Sequence, residues 1–541
     1  MCKSNLLSST AITKAAGAAV IVGAFSLPMG FVLPVNHALA ACTPLTAGAD
    51  NVTCIGALDG TLSDALAGND TIAINTNVGV NAGATVTGGA DDDSIALTSS
   101  TSLGRNVGSA GQVLGDAGAD TITLNFSYVG YFGAGTVSGG VGNDSIVLNN
   151  LSYIGYKAGS TGMVLGDAGA DTIMLILSGV GYSGAGTVSG GAGNDSIAIN
   201  SFGYIGFNVG GTGQVLGDAG ADTITLSQSV VGYYGAGTVD GGDENDSIAL
   251  SNNTRIGFAA TGTGQVLGNA GSDTITLNNS HVGVSGAGTV SGGAENDSIA
   301  LTNGSFIGRL AGSTGQVLGD AGADTITIDN STIGNLGAGT VDGGADNDSI
   351  ALSNNVVIGR NVGSTGQVLG DAGSDTITIN NSHVGYSGAG TVSGGLGNDS
   401  IALSGASRIG NLAGSTGQIL GDTGADTITL SFTYVGNFGD GTVSGGADND
   451  SIALSTASIV GRNVGSTGQV LGDAGADTIT LDNSRVGNAL GSAGTVSGGA
   501  GGDSIALSNN SVIGRDLGST GQILGDAGAD TITLNNSVVG F

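Results

Sequence analysis

Nineteen aspartates recur along the chain at near-regular intervals: Asp70, Asp93, Asp120, Asp144, Asp171, Asp195, Asp222, Asp246, Asp273, Asp297, Asp324, Asp348, Asp375, Asp399, Asp426, Asp450, Asp477, Asp503 and Asp530. The steps alternate between 27 and 24 residues, with 23 at the start and 26 near the end. Each aspartate closes a glycine-rich turn. In Val188–Asn200, VSGGAGNDSIAIN, residues Gly190 to Ala198 follow G-G-x-G-x-D-x-U-x, with Ile197 as the apolar U. Carboxylates among glycine carbonyls are hard oxygen donors of the kind calcium takes. The competing chemistry is turn capping, in which the carboxylate accepts nearby backbone N–H groups.

If every interval is one coil of a stacked structure, the aspartates share one corner about 4.8 Å apart. Like charges at that distance repel by roughly 0.9 kcal/mol per pair even at the dielectric of water. Asp116, Asp167, Asp218, Asp320, Asp371, Asp422, Asp473 and Asp526 add to the same corner. A divalent cation shared between coils would remove the repulsion. The eighteen aspartates from Asp93 to Asp530 are therefore candidate calcium ligands, with turn capping as the open alternative; the turn around Asp70 is degenerate.

The elements that must position these residues follow from the repeat. The segment GQVLGDAGADTITL begins at Gly111, and variants recur every 51 residues, with 53 at the last step. A sister motif, TVSGGAxNDSIAL, lies between them. A fixed period without linkers indicates a repeat array. Within one half-repeat, Val137, Ile146, Leu148 and Ile154 alternate with polar residues in runs of three to five. That is strand periodicity, punctuated by Gly and Asn turns. Such short strands are stable only when stacked. The expectation is an all-β chain: a parallel β-helix, or β-solenoid, of about nineteen 24–27-residue coils, roughly 90 Å long at the usual strand spacing. A flatter two-faced β-roll is the alternative. A nine-bladed propeller exceeds the usual blade number.

Composition agrees. Glycine is 107 of 541 residues, Trp is absent, and charged residues are 10%. Hydrophobics at 40% argue against disorder. Residues 1–40 have the features of a secretory leader, with Lys3 and Lys14, an apolar stretch and Ala38-Leu39-Ala40 as cleavage site. Its removal leaves 9 basic against 43 acidic residues, a net charge of −34. Nucleic acid and anionic membranes are poor partners for that charge, and cations good ones. No transmembrane span is expected in the mature chain. Residues 41–60 form an N-terminal cap, in which Cys42 and Cys54 are a candidate disulfide in an oxidising compartment. Lipidation of Cys42 in a lipobox-like Leu39–Cys42 is the alternative. The array then runs over 61–541 and stops in mid-coil, as a piece of a longer protein would.

Two resemblances follow. The nonapeptide resembles the haemolysin-type, or RTX, calcium-binding repeat. Strict copies begin at Gly139, Gly190, Gly394 and Gly498, and an acid replaces the fourth residue at Asp91, Glu244, Glu295, Asp346 and Asp448. The chain departs from that family because 14–18 other residues follow each nonapeptide and the export signal is N-terminal. The whole chain also resembles bacterial adhesin and autotransporter passengers. Together they imply a secreted or cell-surface protein with calcium and host or cell-surface ligands as partners.

The expected role is therefore structural or adhesive, rigidified by calcium. A metal-independent passenger, the stalk of a larger toxin or enzyme, and an ice-binding protein are the alternatives. Thr-x-Thr strands such as Thr121-Ile122-Thr123 motivate the last, but Ser-Ile-Ala interrupts them in alternate coils. No catalysis is expected, because near-identical repeats offer no unique pocket. His281 and His383 are taken as surface variation. Arg105, Arg309, Arg360, Arg462 and Arg515 are taken as an intermittent basic column.

Overall fold

The computed structural model describes residues 48–54, 67–75, 77–78, 83–259 and 262–540. The leader, its cleavage site and Cys42 lie outside them, as does the side chain of Cys54. Among the described residues there is no helix. The chain winds as a parallel β-solenoid with three faces, as the alternation of apolar residues indicates. The two-faced roll is not formed.

One coil serves for all. A long strand, Gly186–Ala192, leads into the Gly193–Asp195 turn. A middle strand, Ser196–Asn200, follows, then a turn and the two-residue short strand Tyr204–Ile205. Each strand pairs in parallel, without slippage, with its counterpart one coil on: Val188 with Val215, Ile197 with Ile224, Ile205 with Val231. Among the described residues the long and short faces hold 18 strands each and the middle face 20. Nineteen motif aspartates thus bound about eighteen full coils.

Period two points every second residue inward. Val188, Ile197, Ile199 and Ile205 are each no more than 1% exposed, and their equivalents stack into one cluster from Ile72 to Ile513. Val137, Ile146, Leu148 and Ile154 occupy these expected places. At full burial each such side chain contributes about 1.5–3 kcal/mol. No single coil could hold itself together, since its strand edges and apolar faces are satisfied only by neighbours.

The alternating step has a simple origin. The 24-residue coil after Asp171 has a two-residue turn, Leu177–Ser178, and a five-residue loop, Gly181–Ala185. The 27-residue coil after Asp195 has a three-residue turn, Ser201–Gly203, and a seven-residue loop, Gly206–Thr212. The 26-residue coil after Asp477 combines the shorter turn with the longer loop. In these coils the length variation lies outside the strands, so the register of the core is untouched.

The stack also begins earlier than the motif spacing indicates. Asn51–Cys54 pairs with Thr71–Ile74, inside the segment expected to be a cap. Asp50 takes the ladder position, since Thr71 N–H donates to its carbonyl as Thr121 N–H does to that of Asp93.

Candidate functional site: the aspartate corner

The recurring aspartates meet at the corner between the long and middle faces. The first glycine of the motif faces inward there. A Cβ on Gly190 would lie 2.4 Å from Oδ2 of Asp195, and one on Gly115 would lie 2.3 Å from Oδ2 of Asp120. Glycine is needed because the carboxyl occupies that volume. The second glycine, Gly191, has φ +111° and supplies the left-handed backbone of the bend. Asn194 accepts the Ala221 N–H through Oδ1, and Ile197 enters the core. Gly193 has φ +125°, and a Cβ there would lie 2.1 Å from the Gly169 carbonyl oxygen, so each fixed glycine of GGAGNDSIA has a structural task.

The aspartates are buried, not displayed. Asp195 is 3% exposed. Its Oδ1 accepts the backbone N–H of Asp171 at 2.7 Å, while its own N–H donates to Oδ1 of Asp222 at 2.7 Å. The pattern is continuous, from the Asp50 N–H on Oδ1 of Asp70 at 2.6 Å to the Asp503 N–H on Oδ1 of Asp530 at 3.0 Å. One carboxylate oxygen per coil is thereby committed to the coil before it. The other, Oδ2, has no hydrogen-bond partner from Asp70 through Asp503.

Burial sets the electrostatics. From Asp93 to Asp477 every ladder carboxyl titrates above the usual 3.8, because desolvation disfavours the anion more than the backbone N–H bond stabilises it. Asp195 is pushed up to about 6, and Asp120, Asp246, Asp297, Asp348 and Asp426 to about 7. Neighbouring carboxylates raise them further. The repulsion expected from stacked charges is thus relieved in part by retained protons.

The outer acids are arranged differently. Asp167 faces Gly140 and Gly191 in the adjacent coils, so carboxylates of this column recur only every second coil. Each adopts a left-handed conformation, φ 76° at Asp167, and all but Asp371 accept a hydroxyl from the preceding coil, as Asp167 does from Ser138. Two coils carry an acid in place of that hydroxyl. Asp240 meets Asn269, which donates its amide, whereas Asp342 meets Asp371 and is pushed up to about 7 by burial and that neighbour. Among the acids at the fourth motif position, Asp91 accepts the Gly68 N–H at 2.9 Å and Glu295 that of Gly271 at 2.7 Å.

What the corner can do follows. All eighteen candidate ligands lie on one line, yet each offers only Oδ2 beyond its backbone bond. Calcium takes six to eight oxygens. Among the described residues no three His, Cys, Asp or Glu side chains form a metal-ligand group. The neighbouring glycine carbonyls add oxygens to the row: the Cβ position of Gly115 is 2.3 Å from both Asp120 Oδ2 and Gly139 O. A buried oxygen without a donor needs a proton or a cation.

Two expectations are corrected. His281 and His383 both sit on the short face; His383 is half-buried there, whereas His281 is only 8% exposed and stacked on Phe306 at 5.3 Å, which is not surface variation. Burial and flanking arginines lower both to about 4. Sequence reasoning also missed Asp50, because its 20-residue step to Asp70 breaks the 24/27 rule. The outward Thr column of the middle face does alternate, Thr225 pairing beside Ala198 and Ala249.

No protein-family model matches the chain, and neither does any curated protein sequence. Among solved structures, the chain is similar to a hyperactive, Ca2+-dependent, β-helical antifreeze protein from an Antarctic bacterium, at 17% identity over 76% of this chain and 83% of that one, with a TM-score of 0.34.

Proposed function

We propose that the chain is an exported structural or adhesive surface solenoid, and that calcium stabilises its acidic corner. The observation that carries the calcium part is the row of buried Oδ2 atoms without donors. Each is an oxygen that folding has stripped of water and left unneutralised. A proton satisfies it in acid; near neutral pH a shared divalent cation does so without the cost of protonation. The structural part rests on the uninterrupted core from Ile72 to Ile513, which makes one stiff unit from short strands. Catalysis forms no part of the proposal, and burial beside arginines lowers both histidines to about 4.

A calcium titration followed by circular dichroism and melting tests this. At a free concentration 100-fold above Kd, each independent site adds about 2.7 kcal/mol. The melting temperature should rise with calcium at pH 7.5 and fall back on chelation. An unchanged melting curve would sink the calcium part and leave a metal-independent solenoid, held by protons and packing alone.

A further inference from the structure

The short face differs from the rest of the surface. Among the described residues its turns, short strands and loops carry only Asp440, where a loop meets its long strand, and Asp516, and from Phe126 to Phe258 they carry no Asp or Glu, in a chain with 43. Their place is taken by aromatic rings. Tyr131, Tyr156, Tyr182, Phe207, Tyr233 and Phe258 occupy the same position in six successive coils. Their centroids are spaced 5.0–5.2 Å apart, each ring offset and tilted on the next. A second column, Tyr128, Tyr153 and Tyr204, runs beside it, with Tyr128 and Tyr153 stacked at 5.9 Å. Lys157 lies over the rings of Tyr131 and Tyr156, and Arg255 over Phe258.

The adjoining turn carries an independent signal. Phe126, Leu151, Leu177 and Phe202 are 40–48% exposed and hold φ between 51° and 65°. Left-handed backbone favours Asn and disfavours bulky apolar side chains. Asn does fill this turn farther along, at Asn253, Asn279, Asn330, Asn355, Asn381, Asn483 and Asn510. Ala406 and Ala457 hold it in two later coils, and among the described residues Phe432 alone repeats a bulky apolar side chain there. In the first segment the chain thus accepts both backbone strain and exposed apolar surface, four coils in succession. Neither serves folding. Contiguous exposed apolar surface of this kind marks an interaction site.

We infer that this face binds a linear, uncharged polysaccharide lying along the solenoid axis. Charge selects the class. The segment has no carboxylate to attract a cationic partner and too few cations to hold a polyanion against a net charge of −32. Shape selects a polymer, because the rings run straight at one per coil. Chemistry selects sugar. A cleft of about 210 Å³ is walled by Phe202, Tyr204, Phe207 and Tyr233, with Asn253 and Arg255 at its edge. The column rings cover one another's faces, so the exposed Phe202 ring is the one that takes the C–H face of a pyranose, while the Asn253 amide and Arg255 guanidinium bond its hydroxyls. The inference deepens the adhesive reading by naming a ligand class, and rests on that reading only in requiring an exposed face; it is independent of calcium.

The test is calorimetric titration of the purified protein with a soluble linear β-glucan, with dextran as comparison, in chelator throughout. A combined variant, Phe202→Asn, Tyr204→Thr, Phe207→Asn and Tyr233→Asn, takes at each site the residue found in the equivalent position at Asn355, Thr332 and Asn335. It should therefore keep its melting transition. The β-glucan should bind the parent and bind the variant at least about tenfold more weakly, or 1.4 kcal/mol. Absence of binding of either glucan to the parent, or equal binding by the folded variant, overturns the inference. So does a parent that self-associates through this face, becomes monomeric in the variant and ignores the glucan. None of these outcomes alters the calcium result, which is read separately by melting.

Discussion

At the scale of the residue, Gly190 and Asp195 act as a pair. Gly190→Ala places a methyl 2.4 Å from the carboxylate oxygen, so backbone or Asp195 must move. A loss of at least about 1–3 kcal/mol is expected, the usual cost of overpacking, read as a lower midpoint in urea. Asp195→Ala would leave the buried Asp171 N–H without its acceptor, at about 1–3 kcal/mol. Asp195→Asn differs: the amide keeps an oxygen for that N–H and supplies donors toward the glycine carbonyls. It should be close to neutral at pH 5 and stabilising at pH 8, where the aspartate must lose its proton or find a cation. A destabilised Asn variant at pH 8 in chelator would show that the carboxylate is needed as an anion. The nine-residue motif was plain in the sequence, but its meaning was not. Spacing shows which residues share a turn and not whether a carboxylate points outward to an ion or inward to a backbone.

At the scale of the element, the coils come in unlike pairs. The 24-residue coil has Gly191 in the left-handed column where the 27-residue coils beside it have Asp167 and Asp218. Glycine is required there in alternate coils, since a Cβ on Gly191 would lie 2.1 Å from the Asp167 carbonyl oxygen. Deleting the 51 residues Thr172–Asp222 should preserve alternation and leave a shorter, cooperatively melting solenoid. Deleting only the 24 residues Thr172–Asp195 would bring Asp167 and Asp218 onto adjacent coils. Their carboxylates would then be about 4.8 Å apart, repelling by roughly 0.9 kcal/mol at the least. The shorter deletion should melt lower than the longer one despite removing fewer coils; the reverse order would show that pairing of unlike coils is unimportant. The 24/27 alternation was legible in the sequence. That it arises in the turn after the middle strand and the loop after the short strand was not, because those segments carry no strong periodicity.

At the scale of the whole molecule, the ladder makes stability depend on pH. For the aspartates the folded value lies above the usual 3.8, at about 6 for Asp195 and about 7 for Asp120. The folded state therefore holds protons the unfolded chain has released, and stability falls as pH rises from about 4 to 7. His281 and His383 act oppositely. Lowered from 6.5 to about 4, they remove stability as pH falls through that range. Two histidines oppose sixteen shifted aspartates, so the aspartates dominate. In chelator, the melting temperature should be higher near pH 5 than at pH 8. Calcium should then raise it at pH 8 much more than at pH 5. A flat profile without metal would refute the retained protons.

The amino-acid sequence by itself determined the parallel solenoid, its coil count to within one, and the residues of its core. Those follow from period two and a fixed repeat length, both of which are local and additive along the chain. Only the tertiary structure decided that the aspartates face inward with one oxygen on the preceding coil's N–H, that the acids outside them alternate with glycine, and that one face of the first coils is aromatic and free of carboxylates. Each of these depends on which residues of successive coils come to lie one strand spacing apart. That registration is produced by stacking, and no single turn contains it.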